Sequence, residues 1–289
     1  MSGRLLVLDI SGSRALLARA DGAGGLGEVR EVANEAHDAA VYWPAVLAAA
    51  RELGAGAEAV GVSFGGPVDR AGRVVSVHVP GWAGIDVGAG LAEATGCPVR
   101  VENDANCGAL GEFHHGGWGE LHTLVFMTCS TGIGAGIVSG GQLFRGARGL
   151  AGEVGHNTVD PQGALCVCGS IGCLEVQASG TAIARRGGEA GAKAVFDRAA
   201  AGDDAARQTL AEVFPDFGRG IAAVQHAYDP DLITIGGGVS LAGRALTEPV
   251  ATEARHWLMR ERRDHLRLES AALGLHSQLH GAAALWRND

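Results

Sequence analysis

The sequence predicts an α/β protein made of two similar halves with a cleft between them. Three observations point to it. Short apolar runs stop abruptly at Gly, Asp or Ser, stretches of helical periodicity separate these runs, and a β-β-β-α-β-α order met early in the chain recurs later. A single doubly wound sheet would not repeat that order.

Residues Leu5 to Ile10 form an apolar run that enters a tight turn, and they read as a buried strand. Ala15 to Ala20 and Gly27 to Ala33 continue it as a meander, with Asp21-Gly22 as a turn. Ala39 to Leu53 has helical periodicity, Ala59 to Ser63 reads as a second buried strand, and Gly65-Gly66-Pro67 breaks the chain. Ile85 to Thr95 reads as helix, Pro98 to Glu102 as strand and Asp104 to His114 as helix.

The second round starts with a long apolar strand, Leu121 to Thr128, followed by Gly-rich turns and Ile137-Val138. An irregular stretch precedes helices over Ala192 to Ala200 and Ala205 to Tyr228, the latter expected to kink or split at Pro215. A strand at Leu232 to Ile235, a helix over Ala242 to Glu261, a strand at Leu266 to Leu268 and a helix over Ser277 to Trp286 complete the order. The seam is expected near residues 104–120. This gives an N-terminal domain over residues 1–105, rejoined by the C-terminal helix at 277–289, and a second domain over 106–276.

Composition narrows the function. The chain has 289 residues, 47% of them apolar, and no uncharged apolar stretch long enough to span a membrane. The apolar run after Met1 is too short for a signal peptide and is interrupted by Asp9, so the expected compartment is the cytosol. The net charge of −9 is spread along the chain, which argues against nucleic acid as a partner. Lys193 is the only lysine, and no lysine-bearing phosphate loop of the G-x-x-x-x-G-K-[ST] type is present.

Three glycine-containing loops follow apolar strands: Asp9 to Arg14, Ser130 to Gly136, and Gly236 to Gly238. Each is either a plain turn or a loop whose amides approach phosphate oxygens. The glycines at 132, 134 and 136 do not open a helix, as a dinucleotide site would require; a hairpin loop over phosphates fits them better. Asp9, at a strand end, is either a turn cap or a carboxylate that meets the phosphates through Mg²⁺. Asp104 is either a helix N-cap, where the helix would depress its pKa, or a base that orients a hydroxyl for phosphoryl transfer.

With these loops and the segment from Glu102 to Asn106, the sequence resembles the ROK family of bacterial sugar kinases. The resemblance also runs through Leu8 to Ser13, Gly65 to Val68, Ser130 to Gly134, Gly149 to His156, Cys166 to Glu175 and Ile235 to Val239. It implies an actin-like ATPase (ribonuclease H-like) fold with two domains around an interdomain cleft, an ATP- and Mg²⁺-dependent sugar kinase, and a homodimer. Asp104 matches the family's base, and Gly66, Asn103, Glu153, His156 and Glu175 match the sugar site. Asp9, Ser11, Gly12 and Ser13 match the first phosphate loop, Thr131, Gly132, Ile133 and Gly134 the second, and Gly236, Gly237 and Gly238 the adenosine loop. The first loop departs from the family at Ser11, Ser13 and Arg14, where glycine, threonine and lysine are usual, and Ala135 stands where glycine is frequent.

His156, Cys166, Cys168 and Cys173 have spacing of the zinc type and would make a closed structural site within a loop at 153–175; free or disulfide-bonded cysteines are the alternative. Such a metal would brace the loop that carries Glu153 and Glu175, with the second ring nitrogen of His156 offered to a sugar hydroxyl. Trp82 either lines the sugar pocket or packs. Glucose or N-acetylmannosamine, phosphorylated at the 6-hydroxyl, is the expected substrate. Two other classes compete. The family includes sugar-responsive repressors, but these carry a helix-turn-helix ahead of the first phosphate loop, for which the few residues before Asp9 leave no room. A zinc hydrolase is suggested by Glu153-x-x-His156, but three nearby cysteines would close the metal to water.

Overall fold

The computed structural model describes residues 4–21, 23–69, 73–74, 80–82 and 84–287. The expected turn at Asp21-Gly22 lies partly outside them. The chain forms two compact units: Met1–Gly117 with Arg145–Ala151 and His276–Asp289, and Trp118–Phe144 with Gly152–Leu275.

The first unit is built on β1 (Leu5–Ile10), β2 (Arg14–Ala20), β3 (Arg30–Ala33), β4 (Ala59–Phe64) and β5 (Val99–Asn103), in the order β3-β2-β1-β4-β5. β1, β2 and β3 are antiparallel, whereas β4 and β5 run parallel to β1. Side chains alternate across a strand, so β1 serves two cores. Leu6, Leu8 and Ile10 join one cluster with Tyr42, Trp43 and Val46 of α1 (Ala39–Leu53) and Leu91 of α2 (Val87–Thr95). Leu5 and Val7 join the other with Leu279, Ala282 and Ala283 of the C-terminal helix α9 (Ser277–Ala284) and with Trp286.

Helix α3 (Asp104–His115) packs closely on α9. A Cβ on Gly281 would sit 1.7 Å from the carbonyl oxygen of Cys107, so only glycine permits this approach. Trp82 is buried, edge-on to Trp43 and Phe64 at centroid distances of 5.8 and 5.0 Å, so it is a packing residue.

The second unit repeats the topology. Its strands are β6 (Thr123–Cys129), β7 (Ile133–Ser139), β8 (Gln142–Leu143), β9 (Leu232–Gly236) and β10 (Leu268–Ser270). Their order, β8-β7-β6-β9-β10, has the antiparallel meander on one side and the parallel pair on the other, as in the first sheet. The helices are α4 (Leu174–Ala178), α5 (Gly180–Gly187), α6 (Ala192–Ala200), α7 (Asp204–Tyr228) and α8 (Arg244–Trp257). Among the described residues no helix is long and apolar enough to cross a membrane.

Several expectations are corrected. α7 runs unbroken through Pro215. Proline costs about 3 kcal/mol inside a helix, but Val213, Phe217 and Ile221 are fully buried around it, and each such side chain returns roughly 1.5–3 kcal/mol. α4 and α5 occupy part of the stretch read as irregular; they are too short to show a helical period. α8 ends at Trp257 rather than Glu261, and β10 falls at Leu268–Ser270 rather than 266–268.

Candidate active site

The carboxyl ends of the parallel strands β1, β4 and β5 bring Asp9, Ser63 and Glu102 into register as cross-strand neighbours. In open α/β sheets this is the edge where ligands bind. The hydroxyl of Ser63 donates to Asp9 Oδ1 at 2.6 Å. Burial pushes the Asp9 carboxyl up to about pKa 6, against the lowering effects of that bond and of Arg14.

Asp104 is not the N-cap. Asn103 caps α3 through Oδ1, which accepts from the amides of Ala105 and Asn106 at 3.0 and 3.2 Å, and Asp104 opens the helix. The amide nitrogen of Asn103 donates to Gly66 O and to Asp104 Oδ1, both at 3.0 Å. One side chain thus caps the helix, holds the Gly66 turn and aims the Asp104 carboxyl. The expected depression of the Asp104 pKa is reversed. Burial, and then the charge of Asp9, push it up to about 7, outweighing its bonds to Ala105 and Asn103.

Sequence reasoning missed a second layer. Glu102 is buried and accepts from Arg145 Nε at 2.7 Å and from Asn106 Nδ2 at 2.9 Å. Arg145 belongs to the short segment that joins the first unit, 43 residues further along the chain, so no local pattern signals this pair. Ser63 reads from sequence as one more strand residue, and only the register places it beside Asp9.

The first loop is a hairpin turn between β1 and β2. The amide and hydroxyl of Ser11 both donate to Arg14 O at 2.9 Å, and Ser11 is not among the positive-φ residues, so serine replaces glycine here without strain. Arg14 pairs with Glu31 at 3.0 Å.

In the second unit the equivalent hairpin joins β6 to β7. It is shorter than expected: Cys129 already pairs with Ile133 and Thr128 with Gly134, so Ile133, Gly134 and Gly136 are strand residues and the turn is Ser130 to Gly132. Glu175, in the first turn of α4, accepts from the amide of Ile133 at 2.9 Å. A Cβ on Gly132 would lie 2.3 Å from that carboxylate oxygen. Gly237, with φ of 80°, turns the chain after β9 directly against the backbone of Cys129, so the Gly236 to Gly238 turn adjoins the Ser130 turn.

Glu153 precedes and His156 ends a short helical turn, Val154–His156, tied to β7 by the bond from Ala135 N to Gly152 O at 2.9 Å. The loop that follows folds back through Thr158–Cys173 and Leu165–Ile171 bridges. This folding gathers the donor atoms of His156, Cys166, Cys168 and Cys173 within 4.8 Å of one another. Cys166 Sγ lies 3.7 Å from His156 Nδ1 and Cys168 Sγ lies 3.6 Å from Cys173 Sγ. Those edges match a tetrahedron with Zn–S of about 2.3 Å and Zn–N of about 2.0–2.1 Å. His156 Nε2 lies 3.9 Å from Glu153 Oε2.

A family model described as the ROK family matches residues 44–289. The chain belongs to the ROK family. It is 38% identical to a glucokinase of Thermotoga maritima over 72% of this chain and 73% of that one. It is 35% identical to an N-acetylmannosamine kinase of Citrobacter koseri over 98% and 99% of the two chains. The crystal structure of a ROK family glucokinase from Streptomyces griseus, in complex with glucose and AMPPNP, superposes with a TM-score of 0.86 at 31% identity, covering 99% of this chain and 100% of that one. The ROK fold of this protein is therefore the actin-like ATPase fold, and its two sheets share one strand order.

Proposed function

We propose that this ROK protein transfers the γ-phosphoryl group of ATP to a hydroxyl of a hexose or N-acetylhexosamine, with Asp104 as the base. It is a sugar kinase, as its glucokinase and N-acetylmannosamine kinase relatives indicate. The observation that carries the assignment of the base is the partly buried Asp104 carboxyl, fixed by Asn103 and poised near neutral pH beside Asp9. A base with a pKa near the working pH populates its ionised form and still accepts a proton readily. The sugar oxygen forms its bond to the γ-phosphorus as the bond from that phosphorus to the β,γ-bridging oxygen breaks. Asp104 takes the hydroxyl proton, and ADP leaves.

The first loop offers amides to the phosphates, the Ser130 turn forms a second cradle, and the Gly236 to Gly238 turn receives the adenosine. Asp9, steadied by Ser63, would hold Mg²⁺ through its hydration shell, and the ion supplies charge neutralisation on the phosphates. Glu153, His156 and Glu175 would contact the sugar hydroxyls. The cysteine set with His156 Nδ1 suits a structural zinc, which would fix the segment bearing these residues and would leave His156 Nε2 for substrate. The expected 6-hydroxyl acceptor, homodimer and cytosolic placement belong to the same reading.

A coupled ADP-release assay over glucose, mannose, fructose, N-acetylglucosamine and N-acetylmannosamine tests it. Turnover with glucose or N-acetylmannosamine is expected, abolished by EDTA and restored by Mg²⁺. Absence of ADP release with every sugar would sink the proposal.

A further inference from the structure

In the first phosphate loop the carbonyls of Gly12, Ser13 and Arg14 are tied down, while the amides of Gly12 and Ser13 are free. Gly12 O accepts from Asn34 Nδ2 at 3.0 Å, Ser13 O accepts from the Asn34 amide at 2.8 Å, and Arg14 O accepts from Ser11. The amides of Gly12 and Ser13 make no hydrogen bond within the described protein. Asn34 itself is 2% exposed. It follows β3, whose last residue, Ala33, pairs with Arg14, so the sheet register delivers it to the back of the loop. Its Oδ1 accepts from the amide of Asp38, the cap of α1, at 3.3 Å. Both sides of its amide group are therefore in use, one on the loop and one on the helix entry.

We propose that Asn34 is the positioning residue of the first phosphate loop: by holding the carbonyls of Gly12 and Ser13, it keeps the amides of these residues available to the nucleotide's phosphates. This rests on the kinase reading above. A peptide unit presents its N–H and C=O in opposite directions, so an anion site made of backbone amides needs the carbonyls occupied elsewhere. Without such a tether a carbonyl can rotate into the site and repel the phosphate. Asn34 touches no substrate; it acts through the loop.

Asn34→Ala removes the side-chain tether to Gly12. Asn34→Asp keeps the shape and the acceptor for Asp38 but replaces the donor facing Gly12 O with an oxygen. The loss of one such hydrogen bond corresponds to about a tenfold rise in the KM for ATP. The alanine variant is expected to show that rise and the aspartate variant a larger one, with the KM for sugar unchanged. Calorimetry supplies the readout that a merely structural role would not move: affinity for ATP and ADP falls, while affinity for adenosine, which carries no phosphate, stays that of the wild type.

A folded variant with unaltered ATP affinity overturns the inference, as does an equal loss for adenosine and sugar. If thermal melting shows that Asn34→Ala and Asn34→Asp do not fold, Asn34→Ser, which is smaller and retains the main-chain bond to Ser13, carries the same measurements. Wild-type protein that binds no ATP overturns this inference and the kinase reading together; wild-type protein that binds ATP no better than these variants overturns this inference alone.

Discussion

In the first unit the candidate site residues hang from the ends of parallel strands; in the second, those proposed to contact the sugar ride on a loop with little regular structure. Sheet register places Asp9, Ser63 and Glu102 side by side, burying Ser63 and Glu102 and half-burying Asp9, and Asp104 follows at the start of α3. In the second unit Glu153 is about half exposed, and three cysteines and a histidine gather where no sheet pairs the chain. Strand ends provide rigidity and low dielectric together, and so adjust proton affinity. A loop has to obtain its rigidity locally, and a metal-type cross-link is a compact way to do so.

The comparison breaks most visibly at Asp104. Asp104→Asn is expected to lower kcat by roughly 10² or more while the protein still folds and binds sugar; near wild-type kcat would refute the assignment. The same variant tests the burial argument through stability. The Asp104 pKa is raised from 3.8 to about 7 on folding, so the folded state holds its proton more tightly and stability is lost as pH rises through that window. Asp104→Asn is therefore expected to melt above the wild type at pH 8, with the gap closing toward pH 4. A pH-independent gap would show that burial does not govern this carboxyl.

The second unit is tested through its cross-link. Purified protein is expected to carry about one zinc per chain, and Cys168→Ser should lower the melting temperature and raise the KM for sugar by about 10- to 100-fold. Zinc content near zero by elemental analysis would reduce the cluster to free thiols. An unchanged sugar KM would retain the metal but separate it from recognition.

A smaller effect is expected in the pH–rate profile. Below about pH 7, kcat/KM should fall toward tenfold per pH unit as Asp104 is protonated. Asp9→Asn should move the inflection to lower pH, because it removes the neighbouring charge that raises Asp104. The smallest effect is expected at Arg145. Arg145→Gln should cost about 1–3 kcal/mol by leaving Glu102 short of a partner, read as a lower melting temperature with kcat within severalfold of wild type.

Much of this arrangement could be read from the chain. β1, α1, α6 and the start of α3 fall where the apolar pattern puts them, because local pattern and tertiary burial agree there. Reading failed where tertiary packing overrode local preference. Pro215 looked like a break, but the buried face of α7 carried the helix through it. The glycines at 134 and 136 looked like loop and proved to be strand, since β6 supplies their partners. The Asp104 pKa shift was misjudged in sign because a helix terminus is visible in sequence and burial is not. Ser63, Arg145 and Asn34 bear on the site only through register or distant contacts, for which a single sequence gives no signal.

The placement of α9 has a consequence for synthesis. The helix that covers Leu5, Val7, Leu16 and Ala18 follows the entire second unit in the chain. At about 5–20 residues per second, an emerging chain waits on the order of 10–30 s between finishing α3 and delivering α9. During that interval Leu5, Val7, Leu16 and Ala18 lack the cover that α9 gives them. The second unit, whose core comes from one nearly continuous stretch, can close first. The order of folding on the ribosome would thus run opposite to the order of the sequence, and the nascent first sheet is the stretch that a holding chaperone would have to shield.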